Sequence, residues 1–286
     1  MDFLRPGTLD EALAMKAAHP QAVPIAGGTD VMVELNFDRR RPPALLDLTA
    51  VRSLAEWGSD GAELRLGAGV PYRRVIDEAA GELPGLAMAS RTVGSPQIRN
   101  RGTVGGNLGS ASPAGDAHPP LLAGSASVEL ASVRGTRRVP VDAFFTGPKR
   151  SVLAPDELIT AVLVPPAAGP QQFAKVGTRN AMVIAVCSFA VALDPVARRV
   201  GTGLGSAAPT PLRAPLAEAL LAAELPWESR GALDDDLARR FGELVGRAAM
   251  PIDDVRGTAA YRRHALAVLA RRTLGWAWHD YRKDAR

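Results

Sequence analysis

The sequence is poor in the residues that bind metals and clusters. The 286-residue chain has one cysteine, Cys187, and four histidines. One cysteine cannot form an intrachain disulfide, and it cannot supply the several thiolates that hold an iron–sulfur cluster. The histidines are scattered without metal-ligand spacing, so we predict no metal site in this chain. Because Cys187 lies in the apolar run MVIAVCSFAVAL, we expect it to be a small core residue.

Targeting and membrane signals are also missing. The first residues, MDFLRPGTLDEA, lack the basic and apolar regions of a signal peptide. The longest apolar run, residues 182–193, is too short to span a bilayer. The formal net charge is only +4, and the arginine pairs are separated along the chain, which disfavours nucleic-acid binding. Together with 47% hydrophobic and 22% charged residues, these absences predict a globular, cytoplasmic enzyme.

The hydrophobic patterns predict an α+β fold in two parts. Thr8 and Glu11 form a T-x-x-E capping box ahead of a predicted helix, LDEALAMKAA. The first part mixes helices and short strands too irregularly for a doubly wound sheet. The run PPAAGP at 165–170 predicts a boundary, and beyond it three sequential strands predict an antiparallel meander followed by helices. We therefore expect domains at 1–170 and 171–286.

Two glycine-rich turns carry the strongest functional signal. They are AGGTD at 26–30 and TVGGN at 103–107, the second continuing through SASPAGD to Asp116. Glycines allow backbone N–H groups to approach an anion closely, and neighbouring hydroxyl and amide groups add neutral hydrogen-bond donors. A carboxylate such as Asp116 suits a ribose hydroxyl, so the pair of turns predicts a site for a dinucleotide with a diphosphate. The alternative is that both are ordinary structural turns.

Other sequence motifs for nucleotide binding and catalysis are either degenerate or absent. The run GTGLGSAAP at 201–209 looks like a degenerate dinucleotide fingerprint, but prolines follow where that motif needs a helix. We expect it to be a structural exit from a strand. No glycine precedes a Lys–Ser or Lys–Thr pair, and no G-x-S-x-G is present, which argues against a P-loop and a serine hydrolase.

Five segments in order resemble a known family. They are PIAGGTDVMVEL, QIRNRGTVGGNLGSASPAGDAHPPLLA, DELI, FAKVGTRNAMVIA and IDDVRGTAAYRRHALAVLARRTL. Together they resemble the FAD-binding medium subunit of molybdenum hydroxylases, the xanthine dehydrogenase and carbon monoxide dehydrogenase family. The resemblance covers nearly the whole chain. It implies a two-lobed FAD-binding domain of the vanillyl-alcohol-oxidase-like type, followed by a C-terminal domain with a three-stranded antiparallel sheet and a helical bundle.

The resemblance also implies a set of FAD contacts. The two glycine turns would hold the pyrophosphate, Asp116 would lie near the ribose and pyrophosphate, the backbone of Ile159 near the adenine, and Lys175 near the flavin ring. Met182 and Val183 stand where some relatives have an aromatic residue against the flavin, and this sequence has none there. The implied cofactor-binding residues are Ala26, Gly27, Gly28, Thr29, Asp30, Thr103, Gly105, Gly106, Asn107, Ser110, Asp116, Ile159 and Lys175.

The function implied is electron transfer within a complex. A small subunit with [2Fe–2S] clusters and a large subunit with the molybdenum cofactor would be partners, and the non-covalent FAD would pass electrons to NAD⁺ or another acceptor. Among these complexes the favoured one is xanthine dehydrogenase-like, with purines as the substrate class. No residue is assigned a catalytic acid–base role. Two alternatives stay open: a self-sufficient FAD oxidase, for which Tyr72 is the one tyrosine near the turns, and a non-catalytic nucleotide-binding assembly module.

Overall fold

The computed structural model describes residues 1–283, and within them three main sheets follow one another along the chain. The first sheet is small and parallel, with β1 and β2 both paired to β3. Its strands are β1 (Asp2–Leu4), β2 (Val23–Ile25) and β3 (Ala44–Asp47). The helices of this lobe are α1 (Leu9–Ala18) and α2 (Val31–Asn36).

The capping box predicted for α1 is confirmed. The Thr8 hydroxyl accepts a hydrogen bond from the Glu11 N–H at 3.2 Å, and the Glu11 carboxylate accepts one from the Gly7 N–H at 2.7 Å. These contacts satisfy N–H groups that have no partner inside the helix. The helix therefore begins at Leu9, and it delivers the chain into β2 and the first glycine turn.

The second lobe is built on a five-stranded antiparallel sheet with β10 at its centre. In spatial order the strands are β4 (Trp57–Asp60), β5 (Glu63–Gly67), β10 (Leu158–Val164), β6 (Ser127–Ser132) and β7 (Gly135–Pro140). Six short helices belong to this lobe: α3 (Tyr72–Glu78), α4 (Pro84–Arg91), α5 (Pro96–Arg101), α6 (Val104–Ser110), α7 (His118–Ala123) and α8 (Val141–Phe144). The turn of β8 (Phe145–Gly147) and β9 (Arg150–Ser151) completes it.

The third sheet is the predicted antiparallel meander, followed by three helices. The strands are β11 (Gln171–Val176), β12 (Cys187–Asp194) and β13 (Arg199–Gly205). The helices are α9 (Pro215–Glu224), α10 (Asp235–Ala248) and α11 (Ala259–Lys283). Phe189 of β12 meets Phe241 of α10 edge to face in the core between sheet and helices. Cys187 is fully buried in this core, as predicted, and burial raises its pKa to about 12.

The GTGLG run packs the third sheet against the second lobe. A Cβ at Gly201 would lie 2.0 Å from the carbonyl oxygen of Ala123, and one at Gly203 would lie 2.0 Å from that of Pro119. Only glycine allows the β13 backbone to approach the backbone of α7 this closely. The prediction that this run is structural is confirmed.

A search of the described helices for one with the length and apolar character of a membrane span found none.

Two local predictions were wrong. The run from Thr103 was read as a turn, but Val104–Ser110 is helical, because Thr103 caps the helix and Val104 and Leu108, four residues apart, are both buried. The apolar run 182–193 predicts one of the three strands over its whole length, but β12 begins only at Cys187.

Candidate functional site

The two glycine turns lie against each other. The first follows β2, and the second, residues 103–107, is the N-cap and the first turn of α6. A Cβ at Gly27 would lie 1.8 Å from the carbonyl oxygen of Arg101 and 2.9 Å from the amide nitrogen of Gly102, so the two backbones touch where a side chain would stand. Gly28 has a φ of 74°, a conformation that glycine adopts without strain. The glycines therefore bring the two segments to one place.

A single cavity opens along both turns. Its volume is about 830 Å³, within the range of roughly 300–1,000 Å³ that is typical of small-molecule and cofactor sites. Eleven of the thirteen candidate residues line it: Ala26, Gly27, Gly28, Thr29, Asp30, Thr103, Gly105, Gly106, Asn107, Ser110 and Ile159. The structure thus brings together three segments that are far apart in the sequence.

The second turn presents helix N–H groups and open glycine surface to this cavity. The Thr103 hydroxyl accepts a hydrogen bond from the Gly106 N–H at 2.9 Å, which fixes the first turn of α6. Gly105 is packed tightly, since a Cβ there would lie 2.5 Å from Ala68, whereas Gly106 is exposed and has only the Thr103 hydroxyl within reach, at 3.1 Å. The N–H groups of Gly106 and Asn107 are taken by Thr103, whereas those of Val104 and Gly105 have no carbonyl partner inside the helix and are the ones that an anion can use.

At the far side, Ile159 lies at an irregularity of the central strand. The pairing of β10 with β6 shifts register between Ile159 and Ala161. Such a shift interrupts the regular ladder and leaves backbone groups outside it. This agrees with the expectation that Ile159 contributes its backbone, although its contact with adenine stays a prediction.

Five cations line the cavity, and the sequence analysis missed all of them. They are Lys16, Arg40, Arg101, Lys149 and Arg150; the only acidic residues of the lining are Asp30 and Glu34, leaving an excess of three positive charges. A cleft lined by one sign of charge attracts ligands of the opposite sign. They come from four segments, since Lys149 and Arg150 are adjacent, and although Arg101 directly precedes the second turn, no pattern of spacing links the five.

Lys16 is the most buried of these cations. Its side chain leaves α1 and is only 5% exposed, with Nζ donating to the carbonyl oxygens of Pro20 at 2.8 Å and Ala22 at 2.7 Å. Burial, and next the charge of Arg40, lower the pKa of Lys16. An ammonium has three donors, so one N–H remains beyond the two carbonyl contacts.

Asp116 and Lys175, the other two candidates, meet each other and are not part of the cavity lining. Lys175 Nζ lies 2.6 Å from Asp116 Oδ2, and it also donates to the carbonyl oxygens of Thr92 at 2.9 Å and Val183 at 3.3 Å. All three donors of the ammonium are thus engaged by protein atoms. Asp116 Oδ1 is buried and has no partner. The expected contacts of Asp116 and Lys175 with the cofactor stay predictions.

This ion pair joins the second lobe to the third sheet. The side chains are 11% and 9% exposed for Asp116 and Lys175. Burial raises the pKa of Asp116, and the nearby ammonium opposes that shift. Met182 and Val183 lie in the loop beyond Lys175; the Met182 side chain is exposed, and that of Val183 is partly buried beside Gly177.

His118 supports the glycine-rich run from behind. Its Nε2 lies 3.2 Å from the Asn107 carbonyl oxygen, and its ring packs 4.6 Å, centroid to centroid, from that of Phe145. The ring is fully buried, and its Nδ1 has no partner. Burial lowers the pKa of His118 to about 4, so the imidazole is neutral at physiological pH.

We expect this histidine to weaken the fold in acid. Between pH 6.5, its ordinary pKa, and pH 4, the unfolded chain binds a proton that the folded chain does not, so the free energy of unfolding falls as the pH falls. The loss is about 1.4 kcal/mol per pH unit, or about 3 kcal/mol over the whole interval. Urea unfolding at several pH values should show this slope reduced in His118→Gln. Parallel profiles for the two proteins would contradict it, and His279→Gln, on the exposed side of α11, is the matched control.

Across residues 1–283, no group of three or more His, Cys, Asp or Glu side chains is placed to hold a metal ion. The chemistry of the cavity is that of its backbone N–H groups, hydroxyls and cations.

Two family models match successive parts of the chain. A family model described as the FAD binding domain in molybdopterin dehydrogenase matches residues 1–167, and one described as the CO dehydrogenase flavoprotein C-terminal domain matches residues 172–277. The putative xanthine dehydrogenase FAD-binding subunit of Escherichia coli K12 is 32% identical over 289 residues, covering 96% of this chain and 95% of that protein. The nicotine 6-hydroxylase medium subunit of Paenarthrobacter nicotinovorans is 29% identical, covering 95% of each.

A solved structure is similar throughout. A chain of the carbon monoxide dehydrogenase from Hydrogenophaga pseudoflava has a TM-score of 0.90 and 26% identity, with 98% of both chains covered. This match confirms the predicted architecture, an FAD-binding domain followed by a C-terminal domain with a three-stranded antiparallel sheet and helices.

Proposed function

The chain belongs to the family of FAD-binding medium subunits of molybdenum hydroxylases, and from this premise we propose that it transfers electrons through a non-covalently bound FAD. It is a subunit of an oxidoreductase complex of the dehydrogenase type. The observation that carries the proposal is the contact between the two glycine turns along one cavity with an excess of positive charge.

The residues present fit this cofactor. A pyrophosphate carries negative charge, and the backbone N–H groups of 26–30 and 103–107, the nearby hydroxyls and the five cations are the donors it needs. The unpartnered hydroxyl of Tyr72, which lines the cavity, is a polar atom for which a ligand would supply a hydrogen bond. We assign the adenine to the end near Ile159, and the flavin to the end near Lys175.

In this proposal the protein binds and orients while the cofactor carries the redox chemistry. Bound FAD can accept electrons singly and release them as a pair. The glycine turns hold the pyrophosphate, and the buried Asp116–Lys175 pair fixes the third sheet against the second lobe at the flavin end. We assign the cofactor-binding part to residues 1–170 and the C-terminal domain to 171–286, of which the last three residues lie outside the described part.

We propose that the partners are an iron–sulfur small subunit and a molybdopterin large subunit, in a cytoplasmic, xanthine dehydrogenase-like complex with NAD⁺ or another acceptor. The single buried cysteine supports the separate iron–sulfur subunit, because this chain has no thiolates for a cluster. The names of the similar proteins, a xanthine dehydrogenase subunit and a nicotine 6-hydroxylase subunit, support the complex and the class of substrate.

The two alternatives make different demands on the site. A self-sufficient oxidase needs an acid or base beside the flavin, but burial, followed by the charges of Asp116 and Asp30, raises the pKa of Tyr72 well above its ordinary value. Tyr72 is therefore not a base at neutral pH. An assembly module would bind adenine nucleotides but no flavin.

Denaturing the purified protein is expected to release FAD into the supernatant, where its visible spectrum and chromatography identify it. A flavin that stays on the polypeptide would overturn non-covalent binding. Binding of ADP without any flavin would favour the assembly module. In a second arm, mixing with the reduced iron–sulfur partner should bleach the flavin absorbance, and a flavin that stays oxidised would contradict electron transfer.

A further inference from the structure

Tyr72 is a buried residue whose hydroxyl makes no hydrogen bond within the described protein. It is the first residue of α3, is 2% exposed, and lines the cavity. Its ring lies beside Gly102, where a Cβ would stand 3.4 Å from Tyr72 Cδ2, so it adjoins the second glycine turn. Its hydroxyl is buried and has no hydrogen-bond partner. Buried hydroxyls in native proteins are nearly always paired, so this one requires an explanation.

A second unpartnered atom belongs to the same neighbourhood. Asp116 Oδ1 is buried without a partner, while its Oδ2 holds Lys175. The charges of both Asp116 and Asp30 act on the Tyr72 hydroxyl, and Asp30 belongs to the first glycine turn. The hydroxyl needs an acceptor, and the carboxylate oxygen needs a donor.

A polyol hydroxyl can satisfy both needs, because it donates and accepts. On the proposed function, the only polyol between a pyrophosphate at the glycine turns and a flavin ring at the Lys175 end is the ribityl chain. We infer that the Tyr72 hydroxyl hydrogen-bonds the ribityl chain of FAD. Tyr72 is thus a positioning residue that distinguishes flavin dinucleotides from ADP-like ligands.

The test compares ligands that share the pyrophosphate but differ in the ribityl chain. Apoprotein is titrated with FAD, followed by flavin fluorescence, and with ADP, followed by calorimetry. In Tyr72→Phe the Kd for FAD should rise roughly 3- to 10-fold, as for loss of one neutral hydrogen bond, while the Kd for ADP stays unchanged. The melting temperature of apo Tyr72→Phe should equal or exceed that of the wild type, because the lost hydroxyl has no partner in the protein.

Tyr261→Phe is the matched control, since Tyr261 is exposed on α11. Equal weakening of FAD and ADP in Tyr72→Phe would overturn the inference, because it would indicate a general disturbance of the cavity. An unchanged Kd for FAD would overturn it as well. If the wild-type apoprotein binds ADP but no FAD, the proposed function itself fails, and that result is distinct from either outcome in the variant.

Discussion

A Gly27→Ala variant is expected to purify without FAD and to unfold more easily than the wild type. The added Cβ would lie 1.8 Å from the Arg101 carbonyl oxygen and 2.4 Å from its carbon, distances at which backbone must move. Overpacking in well-packed regions costs about 1–3 kcal/mol. We expect the upper end of this range, because the atoms that the new Cβ meets belong to the backbone and cannot rotate away as a side chain can. The shift separates the two glycine turns, which removes the geometry that we propose holds the pyrophosphate.

The measurements are the ratio of flavin to protein absorbance and the urea midpoint. Gly58→Ala is the matched control, because a Cβ at this exposed position meets nothing within 4 Å. If Gly27→Ala retained stoichiometric FAD with an unchanged midpoint, the packing of the two turns would not matter for binding. The same comparison separates the glycines of the second turn. Gly105 is blocked by Ala68, so a side chain there disrupts the fold, whereas a Cβ at the exposed Gly106 meets only the Thr103 hydroxyl, at 3.1 Å, and disturbs the fold less.

The sequence was most informative where the relevant contacts are local. The capping box at Thr8 depends on residues three apart, and the strands of the third sheet follow one another along the chain and pair with their neighbours, so both could be predicted. The glycine turns could be identified because close backbone approach leaves a compositional signature. Helix α6 was missed, since its glycines are unfavourable in isolation and it is stabilised by burial of Val104 and Leu108.

The charges of the site illustrate what could not be predicted. Lys16 lies on the first helix and Arg150 on a strand more than a hundred residues later, and only the fold brings them to one cavity. The family resemblance predicts that Lys175 is a cofactor residue. Its ion pair with Asp116, which lies between α6 and α7, joins two distant segments and has no local sequence pattern. Electrostatics of this kind depend on tertiary distances, which one sequence does not reveal.

The Asp116–Lys175 pair leads to the second large effect. In Lys175→Met, the Asp116 carboxylate stays buried without its cation, and the free energy of unfolding should fall by about 3–5 kcal/mol at neutral pH. The double variant Lys175→Met/Asp116→Leu removes the stranded charge, so it should recover much of this loss. A urea-unfolding double-mutant cycle measures the coupling, and additive losses in the two single variants would show that the pair is not coupled.

The stability loss in Lys175→Met should depend on pH, and the direction of that dependence can be predicted. Burial raises the pKa of Asp116, and Lys175 opposes the rise, so removing the lysine raises that pKa further. A carboxyl with a raised pKa binds more protons in the folded state than in the unfolded state, so stability is present at low pH and lost as pH rises through the folded pKa. Lys175→Met should therefore be closer to the wild type at pH 5 than at pH 8. Lys149→Met is the control, because Lys149 also forms an ion pair, with Glu34 at 2.9 Å, but is 67% exposed. Its loss should be only about 0–1 kcal/mol, since water already screens that pair.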